Sequence, residues 1–440
     1  MRKIFIFYMI FLIIIDSVFS AENSFVIEKQ NSDISKKTEL EKRKAETKTT
    51  DADIPIKVSE SFRQEGYASI RRGVDFLLSR QLPDGSWGTV SRGRSVGNPA
   101  ITALAGMAIF GAGKSIDSKL QTKAVESARS FILKHARKDG SISTGTQAGE
   151  YPTYTTAIAL TFLATLRRTE DESVMRAARK FLIGLQLDED NSVVPTTKDD
   201  LKYGGFGYSP EKEGIAHADL SNTAWVAEAL HASEYLTKEP YSKSSDESKE
   251  SDLAWDKLAV FLTRMQNVPE TNHAVWVVSS KDSDEYGGFI YHVESDENDT
   301  ENEKTGQNPT LRTYGSMTYS GLKSMIYAKF KSDDPRVVAA VEWAKKHYTL
   351  NENPGMGSAG LFYYIQTFAK SHDTMKAGMI LDANGKKHNW REDVIDKLLS
   401  TQKRNGEWEN ANGRWMESSN ELVTTYCLLS LELALGNLLR

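Results

Sequence analysis

The sequence predicts an all-α protein in which six pairs of helices form two concentric layers closed into a ring. Three observations predict it. Helical periodicity begins near Ser59 and continues to the C-terminus. Amphipathic helices alternate along the chain with helices that are apolar nearly all round, so one set faces water and the other is enclosed. The alternation occurs six times and ends on an apolar helix. An open solenoid would need polar capping repeats at both ends, so closure is favoured.

The elements follow in order. Arg2-Lys3, an apolar run from Ile4 to Ile15 and short residues before Ala21 read as a secretory leader over residues 1–20, cleaved after Ser20. The alternative is a retained anchor, although the run is shorter than the ~20 residues of a spanning helix. Residues 21–58 are rich in Lys, Glu, Ser, Thr and Asp and read as a disordered charged linker, followed by one domain over residues 59–440. The outer helices are expected to start near Phe62, Lys123, Ser173, Ala254, Pro335 and Arg391, and the inner ones near Pro99, Tyr154, Leu220, Gly315, Ala359 and Asn420. Ile70, Val74, Leu77 and Leu78 share one face, as do Ala177, Ala178, Phe181, Leu182 and Leu185. Leu422 to Leu435 has no wet side. Charged insertions at Thr237–Asp252 and Glu294–Lys304 read as solvated excursions.

Composition excludes several classes. A net charge of -5 over 440 residues leaves no electrostatic footprint for nucleic acid. A single cysteine, Cys427, permits no internal disulfide and reads as a small core residue. No spacing among the eight histidines and the acids suggests a metal, and no cofactor is expected.

Two glycine-rich units organise the rest. Tyr203-Gly204-Gly205-Phe206-Gly207-Tyr208 leads to His217-Ala218-Asp219-Leu220-Ser221-Asn222, and Tyr286-Gly287-Gly288-Phe289-Ile290-Tyr291 leads to Arg312-Thr313-Tyr314 and Tyr319. A turn, a polar cluster and then an enclosed helix point side chains toward a common cavity mouth. The candidates for that mouth are Tyr151, Tyr154, His217, Asp219, Ser221, Asn222, Arg312, Tyr314, Tyr319, Tyr363, Tyr364, Glu417 and Asn420. Asp219, Ser221 and Asn222 equally suit a helix N-cap.

Gln81-Leu82-Pro83-Asp84-Gly85-Ser86-Trp87 and Gln402-Lys403-Arg404-Asn405-Gly406-Glu407-Trp408 combine a glutamine, a turn glycine and a covering tryptophan, with weaker copies at Gln186 and Gln266. These turns resemble the QW repeat of the squalene-hopene cyclase and protein prenyltransferase superfamily, whose fold is an (α/α)6 toroid. In the cyclases an Asp-x-Asp-Asp motif followed by Thr-Ala supplies the protonating acid. Asp219-Leu220-Ser221-Asn222-Thr223-Ala224 resembles it, with Ser221 at the donor position and Asn222 at the third acidic one. A hydroxyl is too weak an acid for that step. The prenyltransferase zinc pair is also broken, because Thr425 stands where Cys427 should have an aspartate two residues before it. The resemblance therefore implies a ligand-binding or interaction toroid for an isoprenoid, lipid or peptide. The alternatives are a cyclase-type enzyme using Asp219 or Glu417 as acid, or a carbohydrate-active enzyme using the two as a carboxylate pair.

Overall fold

The computed structural model describes residues 56–91, 94–145, 151–208, 217–241, 255–278, 280–293 and 311–436. The expected leader and all but the last three residues of the linker lie outside them, as do the Glu294–Lys304 insertion and the part of the Thr237–Asp252 insertion beyond Tyr241. The compact unit begins at Ile56, and Val58 is buried in its core.

The outer helices are α1 (Glu60–Arg80), α3 (Ser118–Lys134), α5 (Glu172–Ile183), α7 (Trp255–Met265), α9 (Pro335–Lys346) and α11 (Trp390–Thr401). The inner helices are α2 (Pro99–Gly111), α4 (Pro152–Leu166), α6 (Leu220–Ala232), α8 (Gly315–Tyr327), α10 (Leu361–Thr374) and α12 (Asn420–Leu435). Two short hairpins, β1 (Gly88–Ser91) with β2 (Arg94–Gly97) and β3 (Ile380–Leu381) with β4 (Lys387–His388), sit in the connections. The inner helices pack in chain order, α2 on α4, α4 on α6, α6 on α8, α8 on α10 and α10 on α12, and α12 packs back on α2. The ring is closed. This is the all-α toroid of six helix pairs expected from the alternation, and the expected helix starts fall within a few residues of those observed.

The clasps hold neighbouring outer helices together. Gln81 at the end of α1 donates from Nε2 to its own turn at Gly85 O (2.9 Å) and to Ala124 O of α3 (3.1 Å). Gln266 makes the same pair of bonds to Gly287 O and to Arg336 O of α9. Gln402 donates to Gly406 O (2.9 Å) and to Ser69 O of α1 (3.0 Å), so the last repeat clasps the first. The turn glycine is obligatory: Gly85 has φ +90°, and a Cβ there would stand 2.5 Å from Ser127 O of α3. Gly140, Gly204, Gly287 and Gly406 repeat that conformation against α5, α7, α9 and α1. A threonine in the first turn of an inner helix receives the turn's backbone N–H: Thr102 from Trp87, Thr156 from Ile142, Thr223 from Phe206, Thr318 from Phe289 and Thr424 from Trp408. The second of these turns, Asp139-Gly140-Ser141-Ile142, has neither glutamine nor tryptophan and escaped the sequence pattern.

Two charged features lie inside the ring. Glu228 of α6 bonds Lys323 of α8 and, at 3.1 Å, Lys370 of α10, with Lys323 also over the Trp225 ring. All three lie in the C-terminal halves of their helices, where the helix dipole favours cations. Glu432 of α12 is fully buried beside Gly111 of α2, and neither carboxyl oxygen has a hydrogen-bond partner among the described residues. Burial raises its pKa well above the ordinary 4.5. A carboxyl raised in this way binds its proton more tightly folded than unfolded, so stability is fully present below about pH 4.5 and declines as pH rises toward the folded value. Glu432→Leu is therefore expected to add about 1–3 kcal/mol near neutral pH and less below pH 4.5. Urea unfolding at both pH values checks it.

Candidate functional site

A cavity of about 460 Å³ opens at the N-terminal end of the inner ring. Every inner helix contributes to it from its first two turns: Ala100, Ile101 and Leu104 of α2, Tyr154, Thr155 and Ile158 of α4, Ser221 of α6, Ser316 and Met317 of α8, Tyr363 of α10, and Leu422 and Tyr426 of α12. The connecting loops add Asn98, Tyr151, Tyr208, Tyr291, Tyr314, Trp415 and Met416. Seven of these residues are tyrosines and none is charged. The surface is apolar wall studded with hydroxyls.

The mouth is marked by Tyr151, Trp415 and Met416, which are 43%, 41% and 43% exposed. Trp415 and Met416 both adopt left-handed backbone conformations, with φ of 55° and 66°. The Trp415 ring lies flat over Tyr314, 6.1 Å between centroids at 10°, and against Gly360, where a Cβ would collide with it. At the mouth Tyr151 packs on Tyr208, and inside Tyr363 packs on Tyr426. Burial raises the pKa of Tyr154, Tyr208, Tyr291, Tyr314, Tyr363 and Tyr426, so these phenols stay neutral across the ordinary pH range.

The polar residues around the mouth cap helices. Asn98 Oδ1 accepts from Ala100 N and Ile101 N of α2. Asp219 Oδ1 accepts from Asn222 N (2.8 Å) and Oδ2 from Asn222 Nδ2 (2.7 Å), as an N-cap does. Asn353 Oδ1 accepts from Ser316 N of α8. Glu417 serves α10, whose N-cap position is Gly360 and has no side chain to offer: Oε1 accepts from Tyr363 N (2.7 Å) and Oε2 from Phe362 N (3.3 Å) and Asn410 Nδ2 (2.6 Å). Burial pushes Asp219 up to about 7, against the opposing effect of Asn222 and, to a smaller extent, the Tyr291 hydroxyl. Burial raises Glu417 as well.

The sequence candidates separate into three groups. Tyr151, Tyr154, Ser221, Tyr314 and Tyr363 line the cavity. Asp219, Asn222 and Glu417 are buried behind the lining rather than in it, so Asp219 and Glu417 do not face one another across an open cleft. The others are placed elsewhere. His217 is exposed. Arg312 is half-buried on the loop before α8 and donates to Gly355 O at 3.2 Å. Tyr319 is core, its ring against Tyr364, Phe368 and His372, while Tyr364 donates to Thr349 O and Asn420 to Glu407. Cys427 is buried in α12. Tyr208, Tyr291, Tyr426, Trp415 and Met416 were missed. For Tyr208 and Tyr291 a signal existed, since they close the two repeated Gly-Gly-Phe loops at equivalent positions.

No known family profile matches the chain, and no curated protein matches it. Among solved structures it is similar to type II terpene cyclase MstE from Scytonema in its apo form, at 15% identity over 86% of this chain and 99% of that one with a TM-score of 0.49. It is similar to a glycosidase variant at 12% identity over 87% of this chain and 100% of that one, also with a TM-score of 0.49. Likenesses this distant carry no inference about what the chain binds.

Proposed function

We propose that this protein is a binding toroid that holds one neutral, largely apolar small molecule in the cavity at the N-terminal end of its inner ring. The observation that carries the reading is the lining itself: about 460 Å³, every inner helix represented, and no charged side chain among the described residues that form it. That volume falls in the roughly 300–1,000 Å³ range of small-molecule sites. An isoprenoid or a compact lipid suits such a wall better than a peptide, whose amides would each need a partner on burial. Catalysis by Asp219 or Glu417 is less well supported, because both carboxyls are engaged at helix N-termini behind the lining. The proposed setting is outside the inner membrane, on the strength of the N-terminal apolar run alone.

Titration with a neutral naphthylamine fluorophore tests the reading, beside Ala100→Trp, which places an indole into the cavity from the first turn of α2. Saturable binding of one probe per chain is expected for the wild type. A loss of at least tenfold in affinity is expected for the variant, with its far-UV circular dichroism unchanged. Equal binding by both proteins would place the probe elsewhere and count against the cavity.

A further inference from the structure

We propose that the paired hydroxyls of Tyr208 and Tyr291, with the Asp219 carboxyl behind them, are the polar anchor of this cavity and hold the single oxygen function of an otherwise apolar ligand, a phenol-type hydroxyl or a ketone. The proposal rests on the binding reading above and adds the chemistry of the ligand's polar end.

The arrangement follows from the repeated loops. Each Gly-Gly-Phe loop ends on a tyrosine, and the two tyrosines, 83 residues apart, meet hydroxyl to hydroxyl at the cavity wall. Backbone bonds fix them around the start of α6: Asp219 N donates to Phe206 O (3.0 Å), and Leu220 N donates to Tyr291 O (2.9 Å). These bonds bring the Tyr291 loop to the start of α6, where Asp219 and the Tyr291 hydroxyl influence each other's protonation. The carboxyl's remaining contacts are with the backbone N–H groups of Ser221 and Asn222 and the amide of Asn222. The field of Asp219 reaches four lining tyrosines, Tyr208, Tyr291, Tyr314 and Tyr363. The other hydroxyls of the wall have a different surrounding. Ser221, for example, meets Tyr363 at 3.5 Å, with no carboxyl joined to the pair through a hydroxyl.

The hydrogens of such a chain run in one direction at a time. In the proposed chain, with Asp219 ionised, Tyr291 donates to the carboxylate and Tyr208 donates to Tyr291. Both phenolic protons are then engaged, and Tyr208 offers the ligand only an oxygen lone pair, which suits a hydroxyl. With Asp219 protonated the chain reverses: the carboxyl donates to Tyr291, Tyr291 donates to Tyr208, and the Tyr208 proton is left for a carbonyl. Among the described residues, the titratable groups facing Asp219 are Tyr208 and Tyr291 from the two loops, Tyr314 before α8 and Tyr363 on α10, all neutral phenols in this range. Asp219 is therefore the group that reverses the chain, and burial places its titration at about 7. Reversal changes the ligand's preferred oxygen from hydroxyl to carbonyl as pH falls.

Naphthalene, naphthol and acetylnaphthalene form a matched probe set with no oxygen, a hydroxyl and a ketone. Fluorescence titrations of wild type, Tyr208→Phe and Asp219→Asn at about pH 5.5 and about pH 8.5 bracket the Asp219 titration. For the wild type, naphthol is expected to bind roughly tenfold more tightly than naphthalene at the higher pH, the worth of one good hydrogen bond. Acetylnaphthalene is expected to gain on naphthol at the lower pH. Tyr208→Phe is expected to bring naphthol down to naphthalene. Asp219→Asn, which keeps a good N-cap, is expected to make the preference independent of pH. An oxygen preference that survives in Tyr208→Phe would overturn the anchor while the cavity reading stands. A pH-dependent preference that survives in Asp219→Asn would overturn the role of Asp219. Binding of none of the three probes would sink the cavity reading and the anchor with it.

Discussion

Replacing Glu228 by glutamine is expected to lower the unfolding free energy by about 3–5 kcal/mol at neutral pH, because it leaves two lysines inside the inner ring without their counter-charge. The Glu228 side chain is 6% exposed and that of Lys323 is 3% exposed, so water cannot take the place of the carboxylate at that pair. The lysines hold the Glu228 pKa at about 2, below its ordinary 4.5, and outweigh the burial that would raise it. A depressed carboxyl stabilises the fold above the unfolded value of about 4.5, and that contribution fades as pH falls toward about 2. Acid unfolding of the wild type is therefore expected to steepen over that interval, and Glu228→Gln to be flatter there. The double variant Glu228→Met with Lys323→Met is expected to recover most of the loss. It removes the enclosed pair and leaves Lys370, whose side chain is 25% exposed, able to extend its amine to solvent. If the single variant unfolds at the same urea concentration as the wild type, the three charges do not join α6, α8 and α10 as described.

Trp408→Ala is expected to cost about 3–5 kcal/mol, in the range of large aromatic truncations in a packed core. The consequence is more specific than the magnitude. Trp408 is fully buried, donates from Nε1 to Leu398 O (2.8 Å), and packs against Gly73 of α1, where a Cβ would crowd its ring. It lies where the last repeat meets the first, beside the Gln402 bonds to Ser69. Truncating it is expected to raise amide exchange in α1 as much as in its own α11, although the bonded pair Ser69 and Gln402 at this junction lies 333 residues apart in sequence. Trp87→Ala removes an equally buried indole, bonded to Leu77 O at 2.7 Å, from a junction between consecutive repeats. Its effect is expected to spread to α3 and not to α11. Unchanged protection of α1 in Trp408→Ala would mean that the ring does not depend on that closure.

The fold was legible because its signal is periodic. An outer helix alternates wet and dry faces while an inner one does not, and that contrast placed the start of α9 at Pro335 and of α12 at Asn420. The same uniformity hid the site. In α8 every residue from Gly315 to Met325 is buried, so the sequence carries no mark of which face looks toward the ring axis. Tyr314 and Tyr319 therefore looked equivalent, yet one lines the cavity and the other packs toward α10. Arg312 looked like a buried charge in need of a ligand, and a loop carbonyl at Gly355 supplies part of its need. The Trp415–Met416 turn was unreadable for another reason: two successive non-glycine residues in the left-handed region go against local preference and are set by Tyr314 and Gly360 from distant parts of the chain. Asp219 was legible as a cap. The meeting of Tyr208 and Tyr291 beside it was not, because that depends on two loops coming together.

Native mass spectrometry of the protein purified gently from its own cells, followed by solvent extraction, tests the central claim most directly. The cavity reading expects one neutral small molecule per chain, apolar enough to leave with the solvent, and its absence from Ala100→Trp prepared in the same way. A wild-type chain that carries no ligand from the cell and takes up no neutral apolar probe afterwards would contradict it.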